Sequence, residues 1–135
     1  MDTLGIAVLL LFVLVIFSAP VYCCFKGFNF FKLYVVAFPI MAVFTVLACY
    51  WPHFYSDVQL ELMGFDQEGL SYEERTINVD PSLRETAEEL YWAGMGVGWP
   101  LTAMLWLVFL SPFPTVVWLV SLLLKKSRSY TKANT

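Results

Sequence analysis

Three long runs of apolar residues divide the chain into sections. They extend from Leu4 to Tyr22, from Leu33 to Trp51 and from Leu101 to Leu124, and none of them contains Asp, Glu, Lys or Arg. A helix of about 20 residues crosses the ~30 Å hydrocarbon layer of a bilayer. We therefore predict an all-α polytopic membrane protein with three transmembrane helices, a hairpin of two (about 4–22 and 33–51) within residues 1–51 and a third at 99–124.

The segment between the second and third runs, residues 52–98, has a different pattern. In "SDVQLELM" the apolar Val58, Leu60 and Leu62 alternate with polar residues, and "RTINV" alternates again at Ile77 and Val79. A period of two indicates half-buried strands. The pattern predicts a small β-hairpin, which would need support from the membrane, a helix or a partner because two strands alone are marginal in water.

A short amphipathic helix is predicted after the hairpin, in "DPSLRETAEELYWAG". Ser82 followed by Glu85 three residues later is the pattern of a helix-capping box. The apolar side chains then fall on one helical face and the acidic ones on the other. The apolar face consists of Leu83, Ala87, Leu90 and Tyr91.

Charge orients the predicted spans. The first loop carries Lys26 and Lys32, the tail 125–135 carries four basic residues, and 52–98 carries ten acidic residues with two arginines. Because short basic flanks stay in the cytoplasm, the first loop and the C-terminus are expected there. Three spans then place the N-terminus and the acidic segment outside. The absence of an N-x-S/T sequon fits a bacterium, so we expect the inner membrane with 52–98 in the periplasm.

Composition narrows the possible chemistry. With 59% hydrophobic and 18% aromatic residues, the chain is more apolar than an ordinary soluble domain. Proton relays and ion-coupled transporters keep ionisable groups at membrane depth, and these runs hold none. The one histidine, His53, and the three cysteines form no enzymatic or disulfide pattern. We expect a non-enzymatic protein with no cofactor and no metal.

The acidic residues of 52–98 form a predicted outer acidic face. Their spacing lacks the regular alternation and the closing Glu of a calcium loop. We interpret them as a solvated face that suits a basic partner. Its members are Asp66, Glu68, Glu73, Glu74, Glu85, Glu88 and Glu89.

Two prolines interrupt the third run in "LVFLSPFPTVVWLV". Pro112 cannot donate to the carbonyl of Val108, nor Pro114 to that of Leu110. An unpaired carbonyl in hydrocarbon costs several kcal/mol, so each needs another donor. The hydroxyl of Ser111 can reach back to Val108.

The Leu110 carbonyl has no such side-chain donor nearby. It requires a shift to the amide of Thr115, a water or a neighbouring helix. One interpretation is a structural kink, with Pro39 acting likewise in the second span. The other is a break that lines a cavity or docks onto a membrane partner.

Gly94 and Gly98 have the spacing that allows two helices to approach closely. They also fit a plain hinge between the amphipathic helix and the third span.

Three spans bury little surface between them, so a protein of this size needs lipid and either another integral membrane protein or further copies of itself. No nucleic-acid partner is expected. We hypothesise an accessory or assembly subunit of a membrane complex, or an inhibitor of the immunity type. The alternative is a homo-oligomeric channel or carrier with Thr102, Ser111 and Thr115 facing its pore. The candidate contact or pore residues are Val108, Leu110, Ser111, Pro112, Pro114, Thr115, Gly94 and Gly98.

Overall fold

The computed structural model describes residues 3–94 and 98–133, and every regular element in these ranges is a helix. The helices are α1 (Thr3–Phe25), α2 (Phe30–Leu62), α3 (Tyr72–Arg75), α4 (Arg84–Gly94), α5 (Trp99–Leu110) and α6 (Phe113–Ala133). Three stretches are long and apolar enough to cross a membrane: α1, α2 and the joined α5 and α6 from Trp99 to Lys126. The prediction of three spans is confirmed at this level.

The predicted β-hairpin is wrong. Residues 57–62 continue α2, and 76–79 form a turn after α3. Extending an existing helix avoids the cost of nucleation, and "VQLEL" is rich in helix-forming residues, so α2 runs on past Pro52. Of the three alternating apolar residues only Leu60 is buried, while Val58 and Leu62 are exposed. The alternation of apolar residues at 58–62 therefore corresponds to one buried residue, Leu60, on a helix.

The spans are arranged around α2. It packs against α1, α5 and α6, and α1 also packs against α6. A tight turn at Gly27, with φ of +75°, makes α1 and α2 antiparallel neighbours. The side chain of Asn29 caps α2 by accepting a hydrogen bond from the Lys32 amide, 3.0 Å away. At the far end of this pair, Trp51 Nε1 donates to the Gly5 carbonyl at 3.0 Å.

Beyond Trp51, the last turns of α2 support a small unit that we call the acidic unit, residues 57–94. Its core joins Leu60, Phe65, Val79 and Ala87, so that α4 packs against the end of α2. The chain reverses at Gly64, which has φ of +84° and lies against the backbone of Asn78. The predicted amphipathic helix is present as α4, with Ala87 on its buried face.

The turn that leads into α4 is held by Asp80. Its carboxylate accepts hydrogen bonds from the Ser82 amide at 2.9 Å and the Ser82 hydroxyl at 2.7 Å. Ser82 therefore donates to Asp80, which differs from its predicted role as acceptor in a capping box. These two hydrogen bonds, the backbone one first, lower the pKa of Asp80 below its ordinary value.

We expect Gly64→Ala to open the acidic unit. The positive φ costs an L-residue about 1–2 kcal/mol, and the new Cβ would lie 2.7 Å from the Asn78 carbonyl oxygen. Hydrogen exchange at the amides of Phe65 and Asp66, which donate to the Leu60 and Arg75 carbonyls, should accelerate. Gly27→Ala is the control because a Cβ there meets no atom within 4 Å. Unchanged exchange in Gly64→Ala would contradict the turn geometry.

We also expect the pKa of Asp80, measured in a carboxyl NMR titration, to lie below the ordinary aspartate value. A lowered pKa in the folded state means that its contribution to stability is present above the unfolded pKa and is lost as pH falls through the folded pKa. Ser82→Ala removes one of the two hydrogen bonds, so it should raise the midpoint part of the way. A midpoint at or above the ordinary aspartate pKa in the parent chain would show that the turn does not hold the carboxylate.

Candidate functional site

Pro112 and Pro114 form a proline break that separates α5 from α6. Side chains replace part of the hydrogen bonding that is lost at this break. Ser111 Oγ donates to the Val108 carbonyl at 2.8 Å, as the sequence predicts. The backbone bond from the Ser111 amide to Leu107 ends α5, and the bond from the Val116 amide to the Pro112 carbonyl begins the ladder of α6. One of the two carbonyls freed by proline is therefore paired within its own helix.

A donor from another helix reaches the same break. The hydroxyl of Tyr34, in α2, donates to the Ser111 carbonyl at 2.5 Å. The hydrogen bonds of residues 3–94 and 98–133 include none to the Leu110 carbonyl, the second group freed by proline. The break is thus tied to α2 at Ser111 and keeps one unpaired acceptor at Leu110.

The break also changes which neighbours the third span has. Near Trp51, α5 lies against α2 through an edge contact between Trp99 and Tyr50, with ring centroids 5.2 Å apart. Past the break, α6 lies against α1 through Phe113 and Phe17, also 5.2 Å apart. In the described ranges α1 has no packing against α5 comparable to its packing against α6. A groove between α1 and α5 remains, with α2 as its floor.

We call this groove the α1–α5 cleft, and it encloses about 370 Å³. Its floor is formed by Thr45, Ala48 and Cys49 of α2. Its two walls are Leu9, Val13, Ile16 and Phe17 on α1, and Trp106 and Leu110 on α5. The lining is mainly apolar, and the polar groups of its side chains are the hydroxyl of Thr45, the thiol of Cys49 and the indole N–H of Trp106.

Thr45 is the unusual member of this lining. Its side chain is 2% exposed, and its hydroxyl has no hydrogen-bond partner. Thr45 lies six residues from Trp51, about 9 Å along the helix and inside the apolar stretch. An unpaired buried hydroxyl costs about 1–3 kcal/mol. The floor of the cleft therefore carries a polar group that the described chain leaves unsatisfied.

The predicted residues of the break divide between different surroundings. Leu110 lines the α1–α5 cleft, and Pro114 is fully buried. Val108 is exposed, as is Pro112, and Thr115 is half-buried in α6. The cleft thus includes one of the residues singled out from the sequence.

Sequence reasoning missed the two polar residues of α2 that matter most here. Tyr34 is one of several aromatic residues in the second apolar run, and Thr45 is a lone hydroxyl in the same run. Neither has a local signal, since their roles depend on what the third span brings beside them.

The two predicted glycine positions lie at the ends of neighbouring helices. Gly94 is the last residue of α4, and among the described residues nothing lies within 4 Å of a Cβ built there. Gly98 precedes α5, and its nearest such neighbour is Pro100, at 3.5 Å. Neither glycine meets another helix within the described ranges.

The predicted acidic face is exposed throughout. Three of its carboxylates accept local hydrogen bonds: Asp66 from the Glu68 amide at 2.9 Å, Glu74 from the Leu70 amide at 2.9 Å, and Glu88 from Trp92 Nε1 at 3.4 Å. The ion pairs of the described chain include none to this face. The carboxylates of Glu68, Glu73, Glu85 and Glu89 have neither kind of contact there.

Arg75 belongs to the interior of the acidic unit. Its guanidinium donates to the Gly69 carbonyl at 2.7 Å and to the Tyr91 hydroxyl at 2.8 Å. Beside it, burial followed by the nearby charge of Glu88 raises the pKa of Tyr72. Arg75 therefore connects the loop before α3 to α4, and its charge does not compensate the carboxylates of the acidic face.

The described residues contain no cluster of three or more His, Cys, Asp or Glu side chains placed to hold a metal ion. His53 Nε2 lies 3.6 Å from a carboxylate oxygen of Asp57, one turn further along α2. Comparisons of the chain with protein-family models, curated proteins and solved structures give no match.

We expect Tyr34→Phe to loosen the third span. The substitution removes the donor to the Ser111 carbonyl and should lower the free energy of unfolding in bicelles by about 1 kcal/mol, the usual scale for a hydrogen bond between membrane helices. The control is Tyr50→Phe. Tyr50 also packs its ring against aromatic neighbours, but its hydroxyl makes no hydrogen bond to any described residue. Equal effects of the two substitutions would contradict a special role for the Tyr34 hydroxyl.

Proposed function

We propose that the chain is a non-enzymatic integral membrane protein that works by protein–protein contact, as an accessory or assembly subunit of a membrane complex or as an inhibitor of the immunity type. The observation that carries this proposal is the surface of the acidic unit. It holds large aliphatic side chains in contact with solvent at a distance from the spans. Exposed apolar side chains mark interaction sites when they lie together in a patch.

The length of α2 would hold this surface away from a bilayer whose outer boundary lies at Trp51. Leu62 lies 11 residues beyond Trp51, which is about 17 Å along the helix. The side chain of Leu62 is 81% exposed and that of Ile77 is 68% exposed. They belong to neighbouring turns, because Gly64 contacts Asn78 directly. Leu70, on the loop before α3, is 95% exposed.

The charge of the acidic unit indicates the chemistry of the partner surface. Exposed carboxylates without internal partners, such as Glu68, Glu73 and Glu89, lie on the same unit as the exposed aliphatic side chains. Such a surface suits a partner with apolar pockets and a basic rim. Opposite charges would speed the encounter and fix its orientation, while the aliphatic side chains would supply the affinity.

The proposed orientation keeps the acidic unit outside the cell, in the periplasm of a bacterial inner membrane. It is supported by the arrangement of basic residues. Lys26 follows α1, Lys32 lies in the first turn of α2, and Lys125 and Lys126 lie in α6 past its apolar part. Because α1 ends where α2 begins, and Trp118 of α6 packs against Phe30 in the first turn of α2, all four lie toward one end of the bundle, as the positive-inside rule requires of a cytoplasmic end.

A homo-oligomeric channel or carrier is the second candidate, and it needs polar groups that face a path. Two of its proposed lining hydroxyls already bond within their own chain segment, Thr102 to the Gly98 carbonyl at 3.4 Å and Ser111 to the Val108 carbonyl at 2.8 Å. The cleft beside the break is apolar. These features favour the contact function over a pore.

The test is purification of the tagged chain from its native membrane in mild detergent, with quantitative mass spectrometry of the retained proteins. We expect one membrane protein at a fixed ratio. Leu62→Ser combined with Ile77→Ser should reduce its recovery at least tenfold, because each buried aliphatic side chain contributes about 1.5–3 kcal/mol. Leu62→Met combined with Ile77→Val keeps the surface apolar and should retain the partner.

Two results would contradict the proposal. One is a pure homo-oligomer that conducts ions after reconstitution, which would favour the channel. The other is equal recovery of the partner by the serine and the apolar variants, which would remove the acidic unit from the interface.

A further inference from the structure

We propose that the α1–α5 cleft receives one face of a transmembrane helix of the partner protein, and that a Ser, Thr, Asn or Gln side chain on that helix pairs with the Thr45 hydroxyl. This inference rests on the proposed contact function and adds a second surface, within the membrane, to the one on the acidic unit. It is carried by the unsatisfied hydroxyl of Thr45 on the floor of an apolar groove.

An unpaired polar group at this depth favours a protein, and not lipid, as the occupant of the cleft. The Thr45 hydroxyl has no partner, and the hydrogen bonds of the described residues include none to the Leu110 carbonyl. Both residues line the cleft, and Thr45 lies about 9 Å inward from the level of Trp51. Lipid chains carry neither donors nor acceptors there, so filling the cleft with lipid leaves the Thr45 hydroxyl unpaired. A polar side chain on a helix brings both a donor and an acceptor.

The floor of the cleft is shaped for a helix. Thr45, Ala48 and Cys49 have the i, i+3, i+4 spacing of one helical face, and all three are small. Small residues let the backbone of a second helix approach closely. On the α1 wall the lining runs from Leu9 to Phe17, about 12 Å along the helix axis, so the groove is elongated in the direction of the spans.

The volume of the cleft limits how much of the partner helix can enter it. A helix about 10 Å across with a 5.4 Å pitch occupies about 400 Å³ per turn. The cleft holds about 370 Å³, which is less than one turn over a groove about two turns long. The side chains of one face therefore enter the cleft, while the rest of the partner helix stays against α1 and α5.

The chain itself offers few side chains to fill this role in a second copy. The hydroxyls of Ser18, Thr102, Ser111 and Ser121 already donate to carbonyls of nearby residues in their own chain segments. In the described ranges Thr115 makes no such bond, but it follows Ser111, which meets Tyr34 about 17 Å along α2 from Thr45. Of the three spans, the third is also the least covered by the rest of the chain: from Trp99 to Lys126 its buried residues are Ala103 and Pro114. A different protein with a free polar side chain at the right depth fits the cleft better than a copy of this chain.

Site-specific photo-crosslinking in the native membrane tests the inference. Benzoylphenylalanine is placed at Trp106, which lines the cleft, and, as the matched control, at Phe109, an exposed aromatic residue of the same helix outside the cleft. A third position, Leu70, probes the acidic unit. We expect Trp106 and Leu70, and not Phe109, to capture one protein other than this chain. The peptide linked to Trp106 should belong to a membrane span that contains Ser, Thr, Asn or Gln.

Variants of Thr45 test the polar contact separately from shape. Thr45→Val removes the hydroxyl at nearly constant volume and should lower the yield at Trp106 about fivefold, the equivalent of one membrane hydrogen bond of about 1 kcal/mol. Thr45→Ser keeps the hydroxyl and should retain the yield. Equal yields from the valine variant and the parent would overturn the pairing with Thr45.

The other outcomes separate this inference from the proposed function. Capture at Leu70 without capture at Trp106 overturns the cleft as a binding site and leaves the contact function standing. Capture of a second copy at Trp106, or of lipid alone, overturns the choice of a partner helix. No protein captured at any of the three positions counts against both proposals.

Discussion

The hydrogen-bonded backbone of α2 continues from Phe30 to Leu62 past two prolines, and the other long helices, α1, α4, α5 and α6, each pack against it. Its 33 residues make it about 50 Å long, whereas the hydrocarbon layer is about 30 Å thick. One helix therefore serves as the centre of the spans and as the support of the acidic unit. Ending α2 at Trp51 would leave Phe65, Val79 and Ala87 without Leu60, the residue around which the unit closes.

The third span shows how a local defect becomes a feature of the tertiary structure. Proline removes backbone donors, and in hydrocarbon the freed carbonyls need donors from elsewhere. Ser111 supplies one to the Val108 carbonyl, and Tyr34 of α2 donates to the Ser111 carbonyl beside the break. With α5 held to α2 at both ends and α6 packed on α1, the segment between cannot also close against α1. The α1–α5 cleft follows from the way in which the break is repaired.

The sequence predicts the spans and α4 because these depend on local signals: uncharged runs of sufficient length, and a periodicity of 3.6. It fails at residues 57–62, where alternation of three apolar residues fits a strand equally well. The choice between strand and helix depends on Ala87, nearly 30 residues later, because Ala87 covers Leu60 and leaves Leu62 exposed. The sequence could not predict the cleft for the same reason, because the cleft depends on the relative placement of α1, α2 and α5. Thr45 also has no feature in the sequence that distinguishes it from any other hydroxyl in an apolar run.

The two proposed contact surfaces share one rigid element. Thr45 and Leu62 lie 17 residues apart on α2, about 26 Å along its axis, so the geometry between the cleft and the acidic unit is fixed by a continuous helix. Once a partner span enters the cleft, contact with the acidic unit becomes intramolecular, with an effective concentration set by the partner's own linker. Each surface can then be weak alone and the complex still be stable. A small protein with little buried area between its spans would gain stability from a partner that contacts both surfaces.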